Sequence, residues 1–287
     1  MLKQKSIFLV VAFMTFQVVG YGWELNYNYF NNNLSLFNPA AASIKTKVLT
    51  SASYRLETTS NEWGSNYRLD HAVSTNVEFL STKLKGGVGI GFLNDFIYER
   101  PNNRYYLNYG YQKQLGESTM SLGLGAFYHQ VGRDINTDTG PSKKYQDKLN
   151  LNIGAYFHHA KFDAGISISR LNRPRYYDGH IDALYRVDAS LIANGSYHKL
   201  IHTNFEWKID GLLQVISRNA NLFVRNTVTY QDVLWAGFGL SSSGALSGQV
   251  GGKVYKKISI GYSYQGDSYA NSYFYQAHEV CSTYRVE

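Results

Sequence analysis

Eight histidines carry the widest chemical range in this chain, because imidazole serves both as a metal ligand and as an acid or base near neutral pH. His158 and His159 are adjacent, so on an extended segment they face opposite sides and do not readily share a metal. His198 and His202 flank a short connection and could approach each other, but no Cys or carboxylate cluster joins them. His129 with Asp134, and His180 with Asp178 and Asp182, are the other candidates for acid–base work. No Ser stands in a recognisable nucleophile setting beside either group. The expectation is no catalytic site, no metal and no cofactor.

Charged residues form two further groups. Arg186, Asp188, Lys208 and Asp210 fall on the polar faces of neighbouring extended segments, where opposite charges across a ladder attract. Inside a closed sheet they would form a charge ladder, with structural pairing of buried ions as its simplest purpose. Arg133, Lys143, Lys144, Arg173, Arg175, Tyr176 and Tyr177 fall between the periodic segments. Arg and Tyr dominate the energetics of protein interfaces, so these seven are the candidate partner-binding residues.

The elements that must position all of these read as strands. Ile258, Ile260, Tyr262 and Tyr264 alternate with Ser259, Gly261 and Ser263, and Leu149 to Phe157 alternate with Asn, Gly and Tyr in the same way. About fourteen such segments are expected near 47–58, 67–80, 85–98, 104–114, 118–131, 148–158, 161–170, 185–198, 203–216, 221–230, 233–241, 246–255, 257–266 and 277–286. The connections alternate between short, as at Leu115–Glu117 and Lys256, and long, as at Gly132–Asp147, Leu171–Leu184 and Asp267–Gln276. Short turns on one rim and long loops on the other predict an all-β fold, an antiparallel transmembrane β-barrel of the outer membrane.

Composition agrees with that reading. Hydrophobic residues make up 44% and the mean hydropathy is −0.31, which suits strands that are apolar on one face only. The 25 Tyr and 15 Phe suit the lipid–water boundary, and one Cys excludes an internal disulfide framework. Lys3 and Lys5, the apolar run from Ile7 to Val19 and the small residues after it have the order of a signal peptide over 1–22. Removing Lys3 and Lys5 takes the formal charge from +7 to +5; the cations are scattered, which argues against nucleic acid and suits lipid headgroups or an acidic partner. Residues 23–45 then form a periplasmic or lumen segment, and 46–287 the barrel. Gly87, Gly89 and Gly91, with Gly123 and Gly125, leave lumen volume for a small channel or for a plug made from Trp23–Ser43.

Three motifs resemble one family. Asn38, Pro39 and Ala40 precede the first strand, Tyr54 and Arg55 stand within it, and His278 and Glu279 open the last. In this order they resemble the PorP/SprF outer-membrane proteins of the type IX secretion system of Bacteroidota. Ser43 stands where the family usually has Gly, and Leu56-Glu57 where it often has Gln-Trp, which suggests a divergent member. The resemblance implies a non-enzymatic role in secretion or gliding motility. It implies as partners a secreted adhesin or other type IX cargo, periplasmic secretion or gliding lipoproteins, and outer-membrane lipid. The divergence favours a barrel that anchors one adhesin through its C-terminal domain; a passive channel or hydrophobic-solute transporter is the alternative.

Overall fold

A computed structural model describes residues 30–61, 67–97, 100–137, 140–178, 183–186, 188–217, 219–269 and 273–286. The alternating segments form strands because branched and aromatic side chains pack well on a pleated surface with one apolar face. They are β1 (Val48–Asn61), β2 (Tyr67–Ser81), β3 (Gly86–Ile97), β4 (Arg100–Leu115), β5 (Ser118–Thr137), β6 (Gly140–His159) and β7 (Phe162–Ser169). A two-stranded excursion, β8 (Arg175–Asp178) with β9 (Ala183–Arg186), interrupts the series. The barrel resumes with β10 (Ser190–His202), β11 (Phe205–Ile216), β12 (Asn219–Tyr230), β13 (Leu234–Ser241), β14 (Leu246–Tyr255), β15 (Ile258–Tyr269) and β16 (Tyr273–Val286).

Fourteen of these strands pair antiparallel with their neighbours, and β1 closes on β16, so the sheet has no free edge along its main wall. Closure is what allows a sheet to live in lipid, where an unpaired backbone amide costs several kcal/mol. The outward face is apolar: Leu107, Leu122, Leu124 and Phe238 are each more than half exposed on the bare chain. Their neighbours Asn108, Ser121 and Gly123 point inward and are buried. The short turns, such as Thr82–Lys85 and Lys256–Lys257, lie on the rim that also holds both strand termini, which is the periplasmic rim of an outer-membrane barrel. At Gly116 the two-residue turn needs a φ of +63°, which only glycine adopts without strain.

Three expectations are corrected. The stretch Gly132–Asp147 is not a loop, because β5 and β6 continue through it and pair from Thr137↔Gly140 inward as one long hairpin. Asp267–Gln276 likewise contains the ends of β15 and β16, so His278 and Glu279 lie inside the last strand rather than at its start. The strand expected from 185 begins only at Ser190; β7 stops at Ser169, Arg170 turns left-handed at φ +60°, and the chain leaves the wall to build β8 and β9.

Candidate functional site

The lumen is filled by the chain's own N-terminal segment. Phe30–Asn33 forms one 3-10 turn, helix α1 spans Leu34–Phe37, and Pro39–Ala41 forms a second 3-10 turn. Pro39 fixes φ at a helical value and leaves Asn38 extended (φ −136°, ψ 107°), so Asn38 caps the turn that follows. Its Oδ1 accepts from the Ala40 amide at 3.0 Å, while its Nδ2 donates to the carbonyls of Ala155 at 3.0 Å and Ile166 at 3.4 Å. One side chain thus stiffens the plug and ties it to two strands of the wall.

More wall groups satisfy the plug backbone. Asn108 Nδ2 donates to Ser35 O at 2.8 Å, Gln112 Nε2 to Ala42 O at 3.0 Å, and Ser167 Oγ to Phe37 O at 2.7 Å. The Ser43 amide donates to Glu78 Oε2 at 2.5 Å. Phe30, Leu36 and Phe37 form an apolar centre with Leu93, Tyr106, Phe127 and Ile192 of the wall. The glycines are notches for this insert: a Cβ on Gly123 would sit 2.1 Å from Ala40 N, and one on Gly154 2.1 Å from Asn38 Oδ1. Buried apolar contact together with paired polar groups makes a fitted plug, not a loose occupant.

Charged groups flank the apolar centre. Toward the outer side, Arg55 is buried and bonds Tyr275 OH at 2.5 Å, Gln265 Oε1 at 3.2 Å and Glu279 Oε2 at 3.5 Å, with Glu57 in direct contact. Toward the periplasm, buried Asp163 accepts from Ser196 Oγ at 2.6 Å, meets His158 Nδ1 at 2.5 Å and lies 3.4 Å from His198 Nε2, with Lys45 of the plug's tail in contact. His198 Nδ1 also meets Glu206 Oε1 at 2.9 Å. Among the described residues, no three of these groups are arranged to hold a metal ion. On the adjoining strands β11 and β12, Asp210 bonds Lys208 and Arg225, each at 2.9 Å, and the Arg225 guanidinium stacks over Phe30 at 5.0 Å. These are paired ions that seat a plug, and the Ser196 hydroxyl, 3.4 Å from His198 Nε2, is tied into the Asp163 group.

The residues singled out from the sequence distribute as follows. Asn38, Pro39 and Ala40 form the plug's turn, and Arg55 and Glu279 meet across the closing seam. Tyr54 faces outward, as does His278, which bonds Tyr262 OH at 2.8 Å. Lys208 and Asp210 do pair, whereas Asp188 lies in the connection to β10 against Ser217; Arg186 lies in β9, with its side chain outside the described residues. On the wall the pair extends instead to a Lys208–Asp210–Arg225 group, and Asp188 stands off it because the chain rejoins the wall only at Ser190. Arg133 lies in β5, with Lys143 and Lys144 opposite it in β6 and Tyr176 and Tyr177 in β8, but the side chains of all five lie outside the described residues. Arg173 and Arg175 are exposed on the outer side. His180 and Asp182 lie outside the described residues, and His129 is buried against Asn102. His198 meets Asp163 and Glu206, while His202 turns to Thr203. The Asp163 group was missed; its members sit on four strands and in the plug's tail, and only the polar lumen face hinted at it.

Beside Arg173 the outer rim forms a shallow hollow, walled by Ile168, Leu171, Leu191 and Val215 with Asp188 and Ser217. The profile of the type IX secretion system membrane protein PorP/SprF family matches residues 22–284. No curated protein matches the sequence. Among solved structures, the toluene transporter TbuX of Ralstonia pickettii is similar with a TM-score of 0.59 and 9% identity, covering 89% of this chain and 94% of its own. The toluene transporter TodX of Pseudomonas putida gives 0.52 and 7%, covering 88% and 93%. The outer membrane protein Omp33 of Acinetobacter baumannii gives 0.51 and 8%, covering 85% and 99%. Identities this low establish the outer-membrane barrel fold alone.

Proposed function

The chain belongs to the PorP/SprF family of type IX secretion system membrane proteins, and from that premise we propose that it is a non-enzymatic outer-membrane barrel that binds and anchors a secreted surface protein, an adhesin, through that protein's C-terminal domain. The observation that carries this reading is the plug. With Phe30, Leu36 and Phe37 packed at the lumen's centre, the barrel works as a membrane-held support rather than as a passage. Its outer rim is then the working face, with Arg173 and Arg175 exposed beside an apolar hollow. An anchor of this kind needs a desolvated apolar contact framed by Arg and Tyr, which the rim and the neighbouring β8–β9 excursion provide in type.

Deletion of the barrel's gene tests the proposal. Surface labelling of deletion cells should show one adhesin lost from the cell surface and released to the medium, with total secretion otherwise intact. Cells that keep every adhesin on their surface overturn the anchoring role.

A further inference from the structure

On β3 to β6 the lipid-facing wall departs from plain hydrocarbon contact. Its outward residues form rows that run from strand to strand, and the uppermost row is polar: Asn94, Asn103, Gln130 and Asp147. These four alternate with Leu93, Arg104 and His129, which are buried inside the barrel. Asn94 Nδ2 donates to Asn103 Oδ1 at 2.6 Å, and Asn103 Nδ2 donates to Gln130 Oε1 at 3.2 Å. Within this ladder the Asn94 amide oxygen and the Gln130 amide nitrogen are unused, an acceptor at one end and a donor at the other. Below it Phe92, Tyr105 and Tyr128 form an aromatic row, with ring centroids 5.1 and 6.4 Å apart. Below that the wall drops at Ala126, and a hollow of about 480 Å³ opens among Leu107, Leu124, Leu151, Tyr109 and Val88. Ten residues of β5 separate its first residue, Ser118, from Tyr128. At about 3.3 Å per residue and a tilt of about 40°, that is roughly 25 Å of height, so the aromatic row marks the outer edge of the apolar band and the ladder stands at headgroup level.

We propose that this column is a binding site for an outer-leaflet glycolipid, with a neutral sugar head on the ladder and the aromatic row and an acyl chain in the hollow. From rim to mid-membrane the wall presents carboxamides, then rings, then an apolar notch, which is the order of chemistry along such a ligand. Carboxamides both donate and accept, as sugar hydroxyls do, and the C–H face of a pyranose packs on an aromatic ring. Charge decides between headgroups. Among the described outward residues of these rows no Lys or Arg is present to meet a phosphate, and Asp147 would repel one. Contact with bulk lipid requires neither a carboxamide ladder nor a notch at Ala126. The hollow shares no lining residue with the one at the outer rim, so this inference is independent of adhesin binding.

The test is native mass spectrometry of the full chain in a polyoxyethylene detergent, which carries no sugar. The chain is titrated with digalactosyl diacylglycerol, phosphatidylcholine and phosphatidylglycerol of matched acyl chains. Wild type should retain the galactolipid in preference to both phospholipids. Asn94→Leu, Asn103→Leu, Gln130→Leu removes the ladder and Ala126→Phe fills the notch; Leu246→Phe, on the lipid-facing side of β14, is the control, and a retained heat-dependent gel shift verifies that each variant folds. The ladder variant should bind the galactolipid more weakly by roughly tenfold or more, while its phospholipid binding changes little. The notch variant should weaken galactolipid binding, and the control should match wild type. A ladder variant that binds the galactolipid as wild type does overturns the proposal. So does a wild type that prefers phosphatidylglycerol, which would make this a phosphate contact, or one that retains no lipid but forms a dimer lost in the ladder variant, which would make this face an interface between copies of the chain.

Discussion

Arg55 and Glu279 stand directly opposite each other in the β1–β16 ladder, and their side chains meet inside the barrel at 3.5 Å with Tyr275 and Glu57 completing the group. The relationship joins two sequence motifs more than two hundred residues apart at the one seam where the barrel must close. Closing that seam holds every other strand in register, so the buried arginine has a structural task that needs no ligand.

Removing one partner of a buried ion group leaves the other uncompensated. Arg55→Ala should destabilise the barrel by about 3–5 kcal/mol, read as a lower temperature for the heat-dependent gel shift or a lower urea midpoint. Glu279→Gln should cost less, because Glu57 still contacts the guanidinium. Equal stability of wild type and Arg55→Ala would remove the seam from the list of what holds the barrel.

The plug predicts a thiol signal. Cys281 is buried on the lumen wall, and Asn32 Nδ2 of the plug lies 3.7 Å from its Sγ. Gly123→Leu would drive a side chain into the Ala40 backbone, so the plug must shift. Maleimide should label Cys281 slowly in the wild type and at least tenfold faster in this variant, since reactivity follows access. Slow labelling in both would mean that the notch does not hold the plug.

Asn38 separates two contributions. Asn38→Asp keeps the oxygen that accepts from Ala40 but loses the donor to Ala155 and Ile166, whereas Asn38→Ala loses both. The alanine variant should lose about 1–2 kcal/mol for the cap and more for the donations lost at the two wall carbonyls. Hydrogen exchange across 34–42 should rise in both variants, and further in the alanine one.

Much of this was legible from residue order. Where a strand has lipid on one face, its periodicity is enforced by solvent, so Ile258 to Tyr264 announced β15 and its short neighbouring turn. The glycine series in β3 and β5 marked lumen space, and it is the plug that fills it. Failures came where lipid stops enforcing the pattern. Above the membrane, β5 and β6 run on through Arg133, Asp134 and Asn136, where the residue types no longer alternate between apolar and polar. At Arg170 the wall is abandoned without glycine or proline at that position, so the polar pattern of Arg186 and Asp188 looked like more strand. The Asp163 group was invisible because its members come together only when β6, β7, β10 and β11 pair and Lys45 arrives from the plug.

The most direct measurement is a mild-detergent pull-down of the tagged full chain from its native outer membrane, with its partners identified and counted by mass spectrometry. One large secreted adhesin recovered near one-to-one, and lost on Arg173→Glu, Arg175→Glu in a barrel that still folds, is the predicted result. A barrel recovered alone, and conducting ions in a planar bilayer with its plug intact, would contradict the anchoring role and make the protein a channel.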